Sequence, residues 1–248
     1  LTAEETLDQR GRRGSVEILR GKKDRIKSLD FRLPGDFRTH HVVSRYALDN
    51  TGKGRVLHEI RTIVTMDGRP GTGSGEARHA MTIGLRSDDD RTKRRLLEDL
   101  DREGLEGAVT DFGQLVLLFT GRLQRDYEFT PGADREVEGE PVTVLRYRQL
   151  SGNQGLTFFK DRTEEREKAA GEIWLRQKDL LPLRITMRTT EQLSKKFTIS
   201  TEAAVDYGSS PFGLVPERVS HQQFLNSDLM MENDLHYAGF HNDRVPIP

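Results

Sequence analysis

The chain has 248 residues, of which 34% are hydrophobic and 32% are charged, and it contains no cysteine. Lys and Arg total 39 against 40 for Asp and Glu, and the resulting net charge of -1 argues against a dedicated nucleic-acid or anionic-membrane surface. Without cysteine, neither a disulfide framework nor a cysteine-ligated metal site can form. No apolar run reaches the length of a membrane-spanning helix, so we expect no transmembrane segment in the chain.

The N-terminal residues predict helices over about residues 2–28. Thr2 and Glu5 match a capping box, in which both side chains satisfy free backbone N–H groups, and Ser15 can cap a second helix. The basic polar side of that second helix is expected to be a solvated face. Because the first residue is Leu1 rather than Met, we expect that a secretory or lipoprotein leader has been removed.

Two long strands are predicted next, from Phe37 to Leu48 and from Val56 to Met66, because both stretches are rich in β-branched residues. Strands of this length suit a curved or barrel-like sheet. The glycine-rich stretch Gly68–Gly75 predicts a flexible loop. A phosphate-binding loop ends in a Gly-Lys-Ser/Thr sequence that begins a helix. This stretch contains no such sequence, so it does not match a phosphate-binding loop.

Two inserted helices are predicted in the middle of the chain. Ser87 can cap the first, which carries acidic residues in its first turn and continues to about Glu103. The second covers Asp111–Phe119, the most apolar stretch of the chain. A helix that is apolar all round must be buried, so we expect it to pack across a face of the sheet.

The strand pattern then resumes to the end of the chain. Strands are predicted over Arg125–Phe129, Val142–Leu150 and Leu156–Phe159, and the charged segment Lys160–Ala170 is predicted to be a loop or a short helix. From Gly171 to His241, alternating apolar and polar residues separated by turn residues predict four or five strands in one antiparallel meander.

No catalytic or metal-binding motif is present, so the sequence predicts no enzyme, no metal and no cofactor. Adjacent residues of a strand point to opposite faces, so His40 and His41 cannot ligate one ion from a regular strand. Neither a His-Glu-x-x-His helix nor a Gly-x-Ser-x-Gly nucleophile turn occurs.

Apolar residues are more numerous in the later strands than a sheet buried on one face requires. Trp174 lies on the opposite strand face from Ile173, and Met230 on the opposite face from Met231. A sheet that is apolar on both faces must be covered twice or must enclose something. Two interpretations stay open: an apolar cavity, or helices covering one face and a loop the other.

The order of elements, together with several strand-and-turn patterns, spans nearly the whole chain. These patterns are Arg25–Leu29, Tyr127–Phe129, Val137–Leu145, Gly171–Leu175, Leu181–Ile185 and Leu235–Phe240. In this order the sequence resembles the LolA/LolB-like superfamily of bacterial outer-membrane lipoprotein-sorting proteins. The resemblance implies an α+β, mainly β fold in one domain over 1–248. A strongly curved antiparallel sheet, an unclosed β-barrel over about 29–241, would hold helices packed in its concave face.

The resemblance further implies a non-catalytic protein of the periplasm or outer membrane. Its partner would be a hydrophobic small molecule or a lipoprotein acyl chain, and another envelope protein is a second possible partner. We predict a cavity lined by Leu115, Leu117, Leu118, Phe119, Trp174, Met187 and Phe197. The alternative hypothesis is a structural or protein-interaction module of the envelope with a filled core, and hydrolase chemistry is a third that no residue pattern supports.

Overall fold

The computed structural model describes most of the chain. The described residues are 1–12, 15–20, 26–32, 36–49, 58–71, 105, 112–121, 123–151, 156–160, 163–192, 195 and 197–242. The helix predicted from Ser87 to Glu103 lies outside them, as does the second half of the glycine-rich stretch Gly68–Gly75. Of that stretch, Gly68 belongs to a turn and Arg69–Pro70 to a short strand.

Sixteen strands and two 3₁₀ helices make up the regular structure of these residues. The 3₁₀ helices cover Phe112–Phe119 and Gln124–Asp126. In chain order the strands are β1 (Thr2–Arg12), β2 (Ser15–Arg20), β3 (Ile26–Arg32), β4 (Phe37–Asp49), β5 (His58–Met66), β6 (Arg69–Pro70), β7 (Tyr127–Pro131), β8 (Arg135–Val137), β9 (Glu140–Gln149), β10 (Leu156–Lys160), β11 (Thr163–Glu167), β12 (Ala170–Arg176), β13 (Pro182–Gln192), β14 (Thr198–Ser210), β15 (Gly213–Leu225) and β16 (Asp228–His241).

Twelve of the strands form one open antiparallel sheet. Its order is β6-β5-β4-β1-β16-β15-β14-β13-β12-β9-β7, and β8 pairs with β9 beside β7. The first strand lies next to the last, because β1 pairs with β16 on one side and with β4 on the other. β2–β3 and β10–β11 are separate two-stranded hairpins.

The predicted fold class, an α+β protein with helices packed in the concave face of the sheet, is wrong. The described part of the chain is nearly all β, and it contains no α-helix. The apolar stretch predicted as a helix over Asp111–Phe119 forms the 3₁₀ helix Phe112–Phe119, which contacts β13, β14 and β15. No helix among these residues is long and apolar enough to cross a membrane.

The helices predicted over about 2–28 are also wrong, since this segment forms β1, β2 and β3. In β1 the even and odd positions differ: Ala3, Glu5 and Gln9 are buried, whereas Glu4 is exposed. This period of two is that of a strand. The pairing of β1 with both β4 and β16 supplies the backbone hydrogen bonds that a capped helix would otherwise have made.

The predicted C-terminal meander is confirmed: β12 to β16 follow one another as antiparallel neighbours. The long hairpin predicted after Phe37 is confirmed as β4 and β5, and the three strands predicted between Arg125 and Phe159 as β7, β9 and β10. The segment Lys160–Ala170, predicted as a loop or short helix, instead contains β11, which pairs with β10.

The two faces of the large sheet differ in polarity. A row of paired apolar residues crosses five central strands on one face, called the core face: Leu7, Leu235, Val219, Val205 and Ile185. The 3₁₀ helix Phe112–Phe119 packs on this face, and both belong to one hydrophobic cluster. Charged residues occupy the alternate positions of the same strands, such as Asp8, Asp234 and Arg218, on what we call the polar face.

Candidate functional site

The core face contains four of the seven residues predicted to line a cavity. Leu115 and Leu118 are fully buried, Met187 is buried, and Phe119 is partly buried and packs against the same cluster. Leu117, in the same 3₁₀ helix, is partly buried. The apolar stretch therefore lies on the sheet, as its composition predicts.

The other two predicted residues lie apart from this group. Trp174 alternates with buried Ile173 along β12 and lies on the polar face, where its Nε1 donates a hydrogen bond to Glu172 Oε2 at 3.0 Å. The guanidinium carbons of Arg135 and Arg184 lie 4.6 and 5.6 Å from the centroid of the indole ring. Phe197 precedes β14 and is partly buried. The seven residues therefore do not line one surface.

One aromatic group surrounds the end of the 3₁₀ helix. The ring centroid of Phe119 lies 4.7 Å from that of Tyr147, 5.2 Å from that of Tyr127 and 6.1 Å from that of Phe129. Burial raises the pKa of Tyr127 to about 12 and, more strongly, that of Tyr147. Both phenols are therefore neutral near pH 7.

The two tyrosines differ in their hydrogen bonds. The Tyr147 hydroxyl donates to the backbone carbonyl of Thr186 at 2.8 Å. The Tyr127 hydroxyl is buried and has no hydrogen-bond partner in the described structure. A buried polar group without a partner is unusual and costs free energy. Tyr127 therefore presents an unused donor beside an apolar wall.

A second aromatic group lies further across the core face, on β4 and β16. The centroids of Tyr46 and Tyr237 are 4.9 Å apart, and Phe240 lies 6.4 Å from each of them. A buried ion pair is next to it: Arg61 Nε lies 2.8 Å from both carboxylate oxygens of Glu5, and Arg61 Nη2 donates to the Tyr237 hydroxyl at 3.3 Å. The two charges are thus satisfied within the core face.

A buried chain of polar side chains crosses three strands on the core face. Gln9 Nε2 donates to Asn233 Oδ1 at 2.8 Å, and Asn233 Nδ2 lies 3.1 Å from His221 Nδ1. The His221 ring lies against Phe112 with the centroids 5.4 Å apart. Desolvation by burial lowers the pKa of His221 to about 3, so the ring is neutral near pH 7 and Nδ1 accepts from Asn233.

The polar face carries a depression of about 550 Å³ over β4, β1, β16 and β15. Its charged groups are largely paired with one another. His41 Nδ1 lies 2.7 Å from Asp8 Oδ1, and Arg218 makes two hydrogen bonds to Asp234, of 2.8 and 2.7 Å. Desolvation by burial opposes the shift in the pKa of Asp234, but the hydrogen bonds and charge of Arg218 outweigh it and lower the pKa.

The prediction that His40 and His41 point to opposite faces is confirmed. His40 Nδ1 lies 2.9 Å from Asp67 Oδ2, whereas the His41 side chain contacts Asp8. The backbone N–H of His41 also donates to Asp67, and these bonds lower the pKa of that carboxyl. Among the described residues, no group of three or more potential ligands could hold a metal ion.

Sequence reasoning missed the buried polar groups. Glu5 and Gln9 alternate in phase with Ala3 and Leu7, which is the signal that could have placed them on the buried face of a strand. The partners of these two residues are remote in sequence, since Arg61 lies 56 positions from Glu5. No local pattern reports such a contact.

In the described residues, the fold and these contacts define a nearly all-β architecture built on one open antiparallel sheet with an apolar and a polar face. No protein-family model and no curated protein sequence matches the chain. Among solved structures, the chain is distantly similar to a DUF1329 family protein from Desulfovibrio piger. The two share 10% sequence identity with a TM-score of 0.41, over 100% of this chain and 87% of the other.

Proposed function

We propose that this is a non-catalytic binding protein of the bacterial cell envelope that holds a lipid, an acyl chain or another hydrophobic group against the core face. One observation carries the proposal: the apolar surface of the core face extends beyond its packed centre. Around Leu115 and Leu118, seven apolar sheet residues of the same cluster remain only partly buried: Leu7, Leu48, Phe129, Leu145, Leu175, Leu214 and Phe240.

An apolar ligand gains free energy by covering such side chains. Transfer of one methylene group from water contributes about 0.8 kcal/mol, so burying most of an acyl chain contributes several kcal/mol after ordering costs. The binding would be reversible. The resemblance of the sequence to envelope lipoprotein-sorting proteins supports a location in the periplasm or at the outer membrane.

Tyr127 supports a ligand that also has a polar atom. Its buried hydroxyl has no hydrogen-bond partner among the described residues, while its ring belongs to the aromatic group around Phe119. If binding moves the side chains that cover this hydroxyl, a carbonyl or carboxyl oxygen of a bound lipid would accept a hydrogen bond from it and offset the cost of its burial. The proposed ligand is therefore apolar along most of its length and polar at one point.

The direct test is to extract the natively purified protein with organic solvent and analyse the extract by mass spectrometry. We expect a lipid or a related apolar molecule in stoichiometric amount, and after delipidation we expect uptake of a fluorescent fatty acid. Absence of any extracted molecule together with no uptake of the probe would contradict the proposal. It would instead favour an interaction module with a filled core.

Two single substitutions test the role of the phenol. Tyr127→Phe removes the unpaired hydroxyl, so we expect roughly three- to tenfold weaker probe binding with an unchanged or higher free energy of unfolding. Tyr147→Phe is the matched control, because its hydroxyl is used inside the protein by the Thr186 carbonyl. That variant should lose stability by about 1 kcal/mol and keep its probe affinity. Equal probe affinities in both variants and the wild type would exclude Tyr127 as a ligand donor.

A further inference from the structure

One end of the large sheet carries the turns that follow β12 and β14. Because all neighbouring strands are antiparallel, these two turns lie at the same end as the last residues of β16 and the first residues of β1. We call this end the upper rim. It comprises the turns at 177–181 and 211–212 together with the ends of the adjoining strands.

The upper rim carries exposed apolar side chains. Leu180 is 64% exposed, Phe212 48% and Leu181 38%. Among the described residues, two further large apolar side chains are exposed, Val64 and Leu150, and neither belongs to these turns. Since β9 is antiparallel to β12, Leu150 directly after β9 lies at the opposite end of the sheet. Three of the five large apolar side chains that are exposed in the described part of the chain thus lie at this rim.

The turn that presents Leu180 is held firmly in a strained conformation. Leu180 has a φ of 58°, which is a rare backbone conformation for a bulky residue. Its N–H donates to the carbonyl of Arg176 at 2.8 Å, and the Arg176 guanidinium makes two hydrogen bonds to Asp179, of 2.9 and 2.6 Å. Asp179 also accepts from the N–H of Leu181 at 3.2 Å. Strain that the surroundings maintain in this way is typical of functional positions.

The second turn is fixed by its own hydrogen bonds. The N–H of Phe212 donates to the Ser210 hydroxyl at 3.1 Å, and that hydroxyl donates to the carbonyl of Gly213 at 2.9 Å. Both turns therefore present their apolar side chains on ordered backbone.

The apolar core face also reaches the edge of the sheet at the upper rim. Leu175 is paired with Pro182 next to the first turn, and Leu214 is paired with Ser209 next to the second. Both leucines are partly buried members of the core cluster. Phe240, near the end of β16, is a third. The exposed residues of the turns thus lie at the same end of the sheet as these partly buried members of the core cluster.

The charged side chains of the first turn are paired. Arg176 binds Asp179, and Lys178 Nζ lies 2.7 Å from Glu140 Oε1. Because these charges neutralise one another, the first turn can approach a lipid surface without requiring anionic headgroups. We propose that the upper rim is a bilayer-contact surface, in which Leu180, Leu181 and Phe212 enter the boundary between headgroups and acyl chains. This inference does not depend on whether a ligand occupies the core face.

The test is flotation of the full chain with phosphatidylcholine vesicles. We expect the wild type to float with the vesicles, and the variant Leu180→Ser/Phe212→Ser to bind at least about tenfold more weakly, because it loses two of the three inserted side chains. The matched control is Leu150→Ser, which removes a leucine that is 46% exposed at the opposite end of the sheet. It should bind vesicles like the wild type.

Any of three results would overturn the inference. The wild type could fail to bind the vesicles, or the control and the double variant could lose vesicle binding equally. Binding that requires anionic lipid and disappears at high salt would also contradict it. The double variant must unfold at the wild-type urea concentration, which exposed serines permit. Its uptake of the fluorescent fatty acid should be unchanged, so a failure of membrane contact can be distinguished from a failure of ligand binding.

Discussion

The buried histidine on the core face leads to a prediction about acid sensitivity. His221 is 5% exposed, lies against Phe112 and accepts a hydrogen bond from Asn233. Burial lowers the pKa of His221 to about 3, against about 6.5 for a solvated histidine. The perturbation is His221→Gln, which removes the titrating group and keeps a side-chain oxygen that can accept from Asn233.

The direction in which pH changes the stability follows from the pKa of His221 in the unfolded and in the folded state. In the unfolded chain His221 gains a proton below about pH 6.5, whereas in the folded protein it resists protonation until about pH 3. Above about pH 6.5 the histidine is neutral in both states, so the free energy of unfolding has its full value. As the pH is lowered from about 6.5 to about 3, the free energy of unfolding falls by about 1.4 kcal/mol per pH unit. From pH 7 to pH 5 the loss amounts to about 2 kcal/mol.

This pH window isolates the histidine from the carboxylates. The lowered pKa values of Asp67, Asp179 and Asp234 start from about 3.8, so their contributions to stability are present above that value. These contributions to stability are lost only when the pH falls below about 3.8, through the lower pKa values that the three carboxyl groups have in the folded state. Acidification from pH 7 to pH 5 therefore leaves these groups ionised in both states.

The assay is urea unfolding of the wild type and of His221→Gln at pH 7, 6 and 5. The wild type should lose about 2 kcal/mol over this range, and the variant should lose markedly less, whatever its stability at pH 7. Gln223→Ala is the control, since it alters a position two residues further along the same strand without a titratable group. Parallel pH dependences in the wild type and His221→Gln would refute the reasoning, as would titration of the His221 ring resonances near pH 6.

Three further comparisons test the packing of the core face by urea unfolding. Glu5→Gln leaves the buried charge of Arg61 without its partner and should cost about 3–5 kcal/mol, whereas replacing both residues by apolar ones should cost less. Leu115→Ala should cost about 2–5 kcal/mol, because a fully buried side chain is lost; a smaller effect would mean that the 3₁₀ helix collapses onto the sheet. Gly171→Ala should destabilise far more than Gly121→Ala, because only the former places a Cβ against backbone atoms of the next strand.

The C-terminal half of the sheet could be predicted because its pattern and its pairing are both local. In β13 the alternation of apolar and polar residues places Ile185 and Met187 on the buried side, and each strand from β12 to β16 pairs with the next along the chain. Turn residues mark the ends of these strands. The sequence pattern therefore contains most of the information that the pairing uses.

The N-terminal strand could not be predicted in the same way. Its buried positions alternate between apolar Ala3 and Leu7 and polar Glu5 and Gln9, so the pattern lacks the apolar face that identifies a strand. The local capping box at Thr2 then favoured a helix. The partners of β1 in the sheet are β16 and β4, and β16 lies at the other end of the chain. Tertiary pairing overrode the local preference.

The candidate site was predictable in its composition but not in its geometry. Apolar residues of the stretch after Asp111 do meet Met187 on the core face. Trp174 shares only its hydrophobicity with these residues, and its alternation with Ile173 places it on the polar face. The unpaired hydroxyl of Tyr127 can be identified only from three-dimensional contacts.

The buried polar residues have a structural consequence for an open sheet of this size. Apolar side chains on neighbouring strands tolerate several registers, whereas a slip of one residue in β1 would turn Gln9 and Glu5 to the polar face and break both the Asn233 contact and the Arg61 pair. The cost of each lost partner is that of an uncompensated buried polar or charged group. We therefore expect these side chains to fix the register where the first and last strands of the chain meet, a junction that no short turn defines.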